Sequence, residues 1–72
     1  MLNNYKVYAY VNHKVYKLTD DLRFKDFSFP YDCIWENVEL SRILEVLNKD
    51  SEKHGYLYSV YTLDDKYVGG NK

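Results

Sequence analysis

The sequence predicts a small α+β domain, with an antiparallel sheet and one long helix packed on one of its faces. Three observations support this. Apolar residues alternate with polar or aromatic ones near both ends of the chain. A helical apolar stripe runs through residues 38–54. Glycines and paired carboxylates fall where turns and caps are needed. The element order reads as ββαββ.

Residues 5–11 form the first expected strand, with Val7, Ala9 and Val11 alternating with Lys6, Tyr8 and Tyr10. Asn12-His13-Lys14 is polar and suits a turn, and residues 15–18 return. Pairing Val11 with Tyr16 places Val7, Ala9, Val11, Tyr16 and Leu18 on one face. Tyr8, Tyr10 and Lys17 then share the other. Residues 19–37 are the least regular. Thr19 or Asp20 suits the cap of a short helix through Leu22. Phe24, Phe27 and Phe29 suit an extended or irregular path, and Phe29-Pro30 disfavours helix. The apolar run Tyr31-Asp32-Cys33-Ile34-Trp35 suits packing on the body of the domain or a short extra strand.

The helix is the clearest element. Leu40, Ile43, Leu44 and Leu47 fall at i, i+3, i+4 and i+7. Asn37 is the expected N-cap, and Glu39 suits the first turn. Glu45 and Lys49 have the favoured i, i+4 orientation. His54 suits the last turn and Gly55 the position after it. Residues 56–63 form the next strand, Asp64-Asp65 turns, and residues 66–68 return. Aromatics stand on both faces of this hairpin, so the pattern leaves open which face meets the helix. The domain is expected over residues 1–68, with 69–72 as a flexible tail.

The chain has 72 residues, 20 of them Leu, Ile, Val or Phe, enough for one small core. Such a core supplies a net stability of about 3–5 kcal/mol. A single cysteine, Cys33, excludes an internal disulfide, so packing or self-association must supply further stability. Without a secretory signal or a long apolar run, the chain is expected in the cytoplasm and off the membrane.

Chemistry-bearing motifs are sparse. Cys33 with His13 or His54 lacks the local context of a nucleophile and base, and Cys33 reads as a small core residue. Asp20-Asp21 and Asp64-Asp65 lack calcium-loop spacing, and no Cys or His pair has zinc spacing. No catalytic residue, cofactor or metal is therefore expected.

Aromatic composition is the more informative signal. Tyr numbers 9 against 3 Phe and 1 Trp, an excess that suits half-buried surface as well as strand propensity. Tyr8, Tyr10, Lys6, Lys17, Tyr56, Tyr58 and Tyr67 are the candidate partner-binding residues. A non-enzymatic protein-binding module is the leading expectation. By analogy of size and composition, it extends to a phage or mobile-element inhibitor of a host protein such as a defence nuclease. Homodimerisation would cover the same surface.

A weak single-stranded nucleic-acid binder is the alternative. Residues 1–18 carry Lys6, Lys14 and Lys17 with no acid, interleaved with Tyr5, Tyr8, Tyr10 and Tyr16. From Thr19 onward, however, seven basic residues face eleven acidic ones, which opposes a strong electrostatic footprint.

Overall fold

The computed structural model describes residues 2–26 and 33–72. It is an α+β fold in which one helix packs on a six-stranded antiparallel sheet. The strands are β1 (Asn3–Val11), β2 (Lys14–Leu18), β3 (Phe24–Asp26), β4 (Ile34–Val38), β5 (Leu57–Thr62) and β6 (Tyr67–Gly70), and the helix α1 is Leu40–His54. Both terminal hairpins and the helix follow the expected order. The segment read as irregular adds two short strands, β3 and β4. Phe27 and Phe29 lie outside the described residues.

β1 is central. Its whole length from Tyr5 to Tyr10 pairs with β5. Its other edge is shared, with β4 along the first half and β2 along the second. Trp35 sits where these two partners meet. It is 5 % exposed, and its indole N–H donates to the Leu18 carbonyl at 2.8 Å. That bond ties β4 to the end of β2.

Turn chemistry sets the registers. Asn12 and His13 both have positive φ, at 50° and 67°, and make a two-residue connection of the kind that matches strand twist. Val11 therefore pairs with Lys14, and Ala9 with Tyr16, two residues away from the expected register. A shift of two preserves the faces, so the expected division of side chains survives.

The β2–β3 and β5–β6 turns repeat one design. Thr19 and Thr62 each accept, on the side-chain oxygen, the backbone N–H four residues on, from Arg23 at 3.0 Å and Lys66 at 3.1 Å. Each also donates its hydroxyl to the carboxylate two residues on, Asp21 or Asp64. The fourth residue of each turn, Leu22 or Asp65, takes positive φ, at 63° and 68°. Thr19 thus anchors a hairpin turn, and the short helix expected through Leu22 does not form.

The helix begins later than expected. Asn37 lies in β4 with φ 54°, and its N–H donates to the Asn4 side chain at 2.9 Å. An Asn tolerates this left-handed backbone, and the bond draws Asn37 into the sheet, away from the capping position. Glu39 stands at the N-cap with extended backbone and makes no side-chain capping bond. The other end is as read. Lys53 and His54 occupy the last turn, and Gly55 has φ 70° with its N–H on the Ser51 carbonyl at 2.7 Å.

Val7, Ala9, Leu18, Leu47 and Val60 are fully buried, with Ile43 and Tyr58 at 1 %. Leu40 and Leu44 pack against this core as the stripe predicts. The stripe continues through buried Ser51, whose hydroxyl donates to the Asn48 carbonyl at 3.1 Å and accepts from the Asn71 amide at 3.2 Å.

Asn71 also accepts the Tyr58 N–H at 2.7 Å, bridging helix and sheet. Gly69 and Gly70 belong to β6, beyond the boundary at 68 expected from sequence. Their lack of side chains is structural. A Cβ on Gly69 would meet the Leu44 side chain at 3.1 Å. One on Gly70, where φ is 142°, would lie 2.5 Å from the Tyr58 carbonyl oxygen.

Two stability predictions follow from this packing. Leu47→Ala should cost about 2–5 kcal/mol by urea denaturation, comparable with the domain's entire stability of about 3–5 kcal/mol, so the variant should be largely unfolded. Gly70→Ala should cost about 1–3 kcal/mol because a backbone atom blocks the new methyl. Gly69→Ala, which meets a movable side chain, should cost less. Equal midpoints for the two glycine variants would contradict the packing of β6.

Candidate interaction surface

The helix covers one face of the sheet, and the register assigns every strand residue to a face. Tyr58 pairs with Ala9 and Val60 with Val7 on the helix side. Tyr56 and Tyr58, candidates for the surface, are thus core residues, 5 % and 1 % exposed. Their hydroxyls reach polar groups on the helix. Tyr58 donates to the Asn48 side chain at 2.5 Å, and Tyr56 donates to the Asp50 carboxylate. The sequence could not separate them from Leu57 and Tyr61, because both sets alternate with period two.

The far face carries three rows across the strands. Val15, Tyr10 and Leu57 form the first. Lys25, Lys17, Tyr8, Ser59 and Gly70 form the second. Ile34, Lys6, Tyr61 and Tyr67 form the third. The register thus brings Tyr8, Tyr10, Tyr67, Lys6 and Lys17 onto one face and adds Val15, Leu57 and Tyr61. Val15 and Leu57 escaped sequence reading because isolated aliphatic residues at strand ends resemble core positions.

The aromatics form a ladder. Tyr8 and Tyr61 meet edge to face with ring centres 5.5 Å apart, and Tyr61 and Tyr67 do so at 5.6 Å. The Tyr10 hydroxyl lies 2.9 Å from that of Ser59, and the Lys72 amine stands 4.4 Å above the Tyr10 ring. Tyr8, Tyr10, Val15, Tyr61 and Asp65 line a shallow depression of about 280 Å³.

Lys25, in the second row, is exposed, but the other two lysines of these rows are not. Val15, Leu57 and Tyr67 are 42 %, 46 % and 49 % exposed, whereas Lys6 and Lys17 are 6 % and 2 % exposed. The Lys6 amine pairs with the Asp65 carboxylate. Neither buried amine is presented to solvent, where a phosphate would have to be met. Burial raises the pKa of the Tyr8 hydroxyl, and the nearby Lys6 charge partly offsets this.

Outside this face the chemistry-bearing residues are dispersed. Cys33 is buried beside the start of β4, which pairs with β1 at Lys6. His13 occupies the β1–β2 turn at the far end of β1, about 16 Å along the strand at ~3.3 Å per residue. The His54 ring faces the Asp50 carboxylate at 3.1 Å. Among the described residues no group of three or more His, Cys, Asp or Glu is placed to hold a metal ion, and no helix is long and apolar enough to cross a membrane. No family model, no curated protein and no solved structure matches the chain.

Burial and then the hydrogen bond to Asp50 push the Tyr56 hydroxyl pKa far upward, and burial raises that of Tyr58. A phenol held neutral in the fold stabilises it fully below the unfolded tyrosine pKa of about 10. That contribution is lost as pH rises towards the folded value. Stability should therefore fall above pH ~10, seen as a lower urea midpoint at pH 11 than at pH 8. In a 295 nm absorbance titration, Tyr56→Phe should lack a tyrosine that ionises above the usual phenol range. An unchanged high-pH phase in that variant would contradict the assignment.

Proposed function

We propose that the chain acts as a protein-binding module whose contact surface is the sheet face away from the helix. The observation that carries this reading is the split on that face. Val15, Leu57 and Tyr67 are exposed and Tyr8, Tyr10 and Tyr61 half-buried, while Lys6 and Lys17 are buried. Tyrosines supply large contact area with only two side-chain torsions to immobilise, and they are enriched at interface hot spots. A nucleic-acid surface needs the reverse, with amines outward for phosphate and flat ring faces for bases. Here the ladder rings meet edge to face, so each ring edge partly occupies its neighbour's stacking face.

Mutating the exposed part of the face tests this without opening the core. Tagged wild type and the Val15→Glu, Leu57→Glu double variant are compared in pull-downs from native lysate, with and without nuclease. The expected result is a protein that survives nuclease and moderate salt on the wild type and is lost from the variant. Capture abolished by nuclease, or capture equal on both proteins, would overturn the proposal.

A further inference from the structure

We infer that the shallow depression on the far face, lined by Tyr8, Tyr10, Val15, Tyr61 and Asp65, takes a trimethylated lysine side chain of the partner protein; the inference rests on the protein-binding reading of the same face. Three phenol rings and one carboxylate around a single depression supply the chemistry that recognises a quaternary ammonium group. The negative face of each ring attracts the cation, and the methyl groups gain apolar contact.

Tyr8 and Tyr61 stand at 72° with ring centres 5.5 Å apart. They make a corner. A compact cation can touch both rings there, whereas a flat base cannot lie on one without meeting the other. Tyr10 lies two residues along β1 from Tyr8 and so projects from the same face. Its hydroxyl is fixed by that of Ser59 at 2.9 Å. The Tyr10 ring already attracts an ammonium group, since the Lys72 amine lies 4.4 Å from its centre. Lys72 lines the adjoining cleft with Tyr10 and does not line the depression, so Tyr10 is the wall that the two share.

Charge and hydrogen bonding select the methylated form. Asp65 lines the depression, and its side chain is 75 % exposed although it pairs with Lys6. That pair leaves no net positive charge on the wall to repel a cation. A bare lysine ammonium brings three N–H donors that need acceptors. Here the carboxylate already serves Lys6, and the Tyr10 hydroxyl is engaged by Ser59. A trimethylammonium group has no N–H to satisfy, and its methyls meet the rings and the Val15 side chain. At about 280 Å³ the depression falls just below the roughly 300–1,000 Å³ of pockets for whole small molecules, a size for a head group on a longer chain.

The test is a proton–nitrogen NMR titration of the full chain with capped trimethyllysine over roughly 0.1–10 mM, the range that a lone head group reaches. The same titration is run with capped lysine, with the neutral isostere that carries tert-butyl in place of trimethylammonium, and with choline. Saturable shifts are expected at Tyr8, Tyr10, Val15, Tyr61 and Asp65. Trimethyllysine should bind about tenfold more tightly than lysine or the neutral isostere. Tyr61→Leu and Tyr10→Leu should each weaken it by a similar factor, and Tyr61→Phe, which keeps the ring, should not. The isostere comparison on the wild type decides even where a substitution disturbs the fold.

No saturable shift at these residues would overturn the inference. So would equal binding of the neutral isostere, or binding indifferent to both leucine substitutions in folded variants. Choline bound more tightly than trimethyllysine would assign the site to a free metabolite and overturn the partner side chain. A chain that rejects trimethyllysine but still captures a protein through Val15 and Leu57 would refute this inference and leave the protein-binding proposal standing. Trimethyllysine bound by a chain that captures no protein would overturn that proposal, and the partner side chain with it.

Discussion

The structure depends on β1 pairing along both edges. Residues Tyr5 to Tyr10 pair with β5 on one side, and the strand pairs with β4 and β2 in succession on the other. A strand so placed has its backbone polar groups satisfied by the sheet, which lets its side chains divide cleanly between two environments. Val7 and Ala9 are fully buried on one face, while Tyr8 and Tyr10 are half-buried on the other. Every neighbour inherits that division through the register. A slip of one residue would put Lys6 and Tyr8 under the helix.

One helix covers one face, and polar contacts hold it there along with its apolar stripe. Ser51 and Asn71 connect α1 to the backbone of β5, and the hydroxyls of Tyr56 and Tyr58 reach Asp50 and Asn48. Leu44 lies against Gly69, where any larger residue would hold it away from β6. In a domain with so small a core, directional bonds that also satisfy buried polar atoms help to specify one packing of helix on sheet. The Trp35 bond to Leu18 plays the same part at the other edge of β1, closing the gap between two short strands that share it.

The same asymmetry separates the two groups of tyrosines. Tyr56 and Tyr58 serve the core, with their hydroxyls answered by the helix. Tyr8, Tyr10, Tyr61 and Tyr67 stand on the far face, where Tyr61 meets Tyr8 and Tyr67 edge to face and Tyr10 meets Ser59 and Lys72. An excess of tyrosine over phenylalanine therefore has two physical origins in this chain. One is the need for a hydrogen-bonding tip at a helix–sheet boundary, and the other is an aromatic surface that stays partly wet.

The sequence by itself determined the order of the two terminal hairpins and the helix, the helical stripe, the Gly55 terminus and the division of β1 into two faces. All of these rest on periodicity or on local backbone preference, which a short window of residues carries. Tertiary structure decided which face of residues 56–63 meets the helix, because both faces carry aromatics and only packing distinguishes them. It also decided the short strands β3 and β4, which lack enough residues to show a period and exist because β2 and β1 offer them open edges. Asn37 passed from an expected cap into the sheet because Asn4, 33 residues away, offers its backbone N–H an acceptor. The residues from 69 onward, plain by composition, joined the fold through Tyr58 and Ser51. Lys6 and Lys17 are buried by tertiary packing, and no local pattern encodes it.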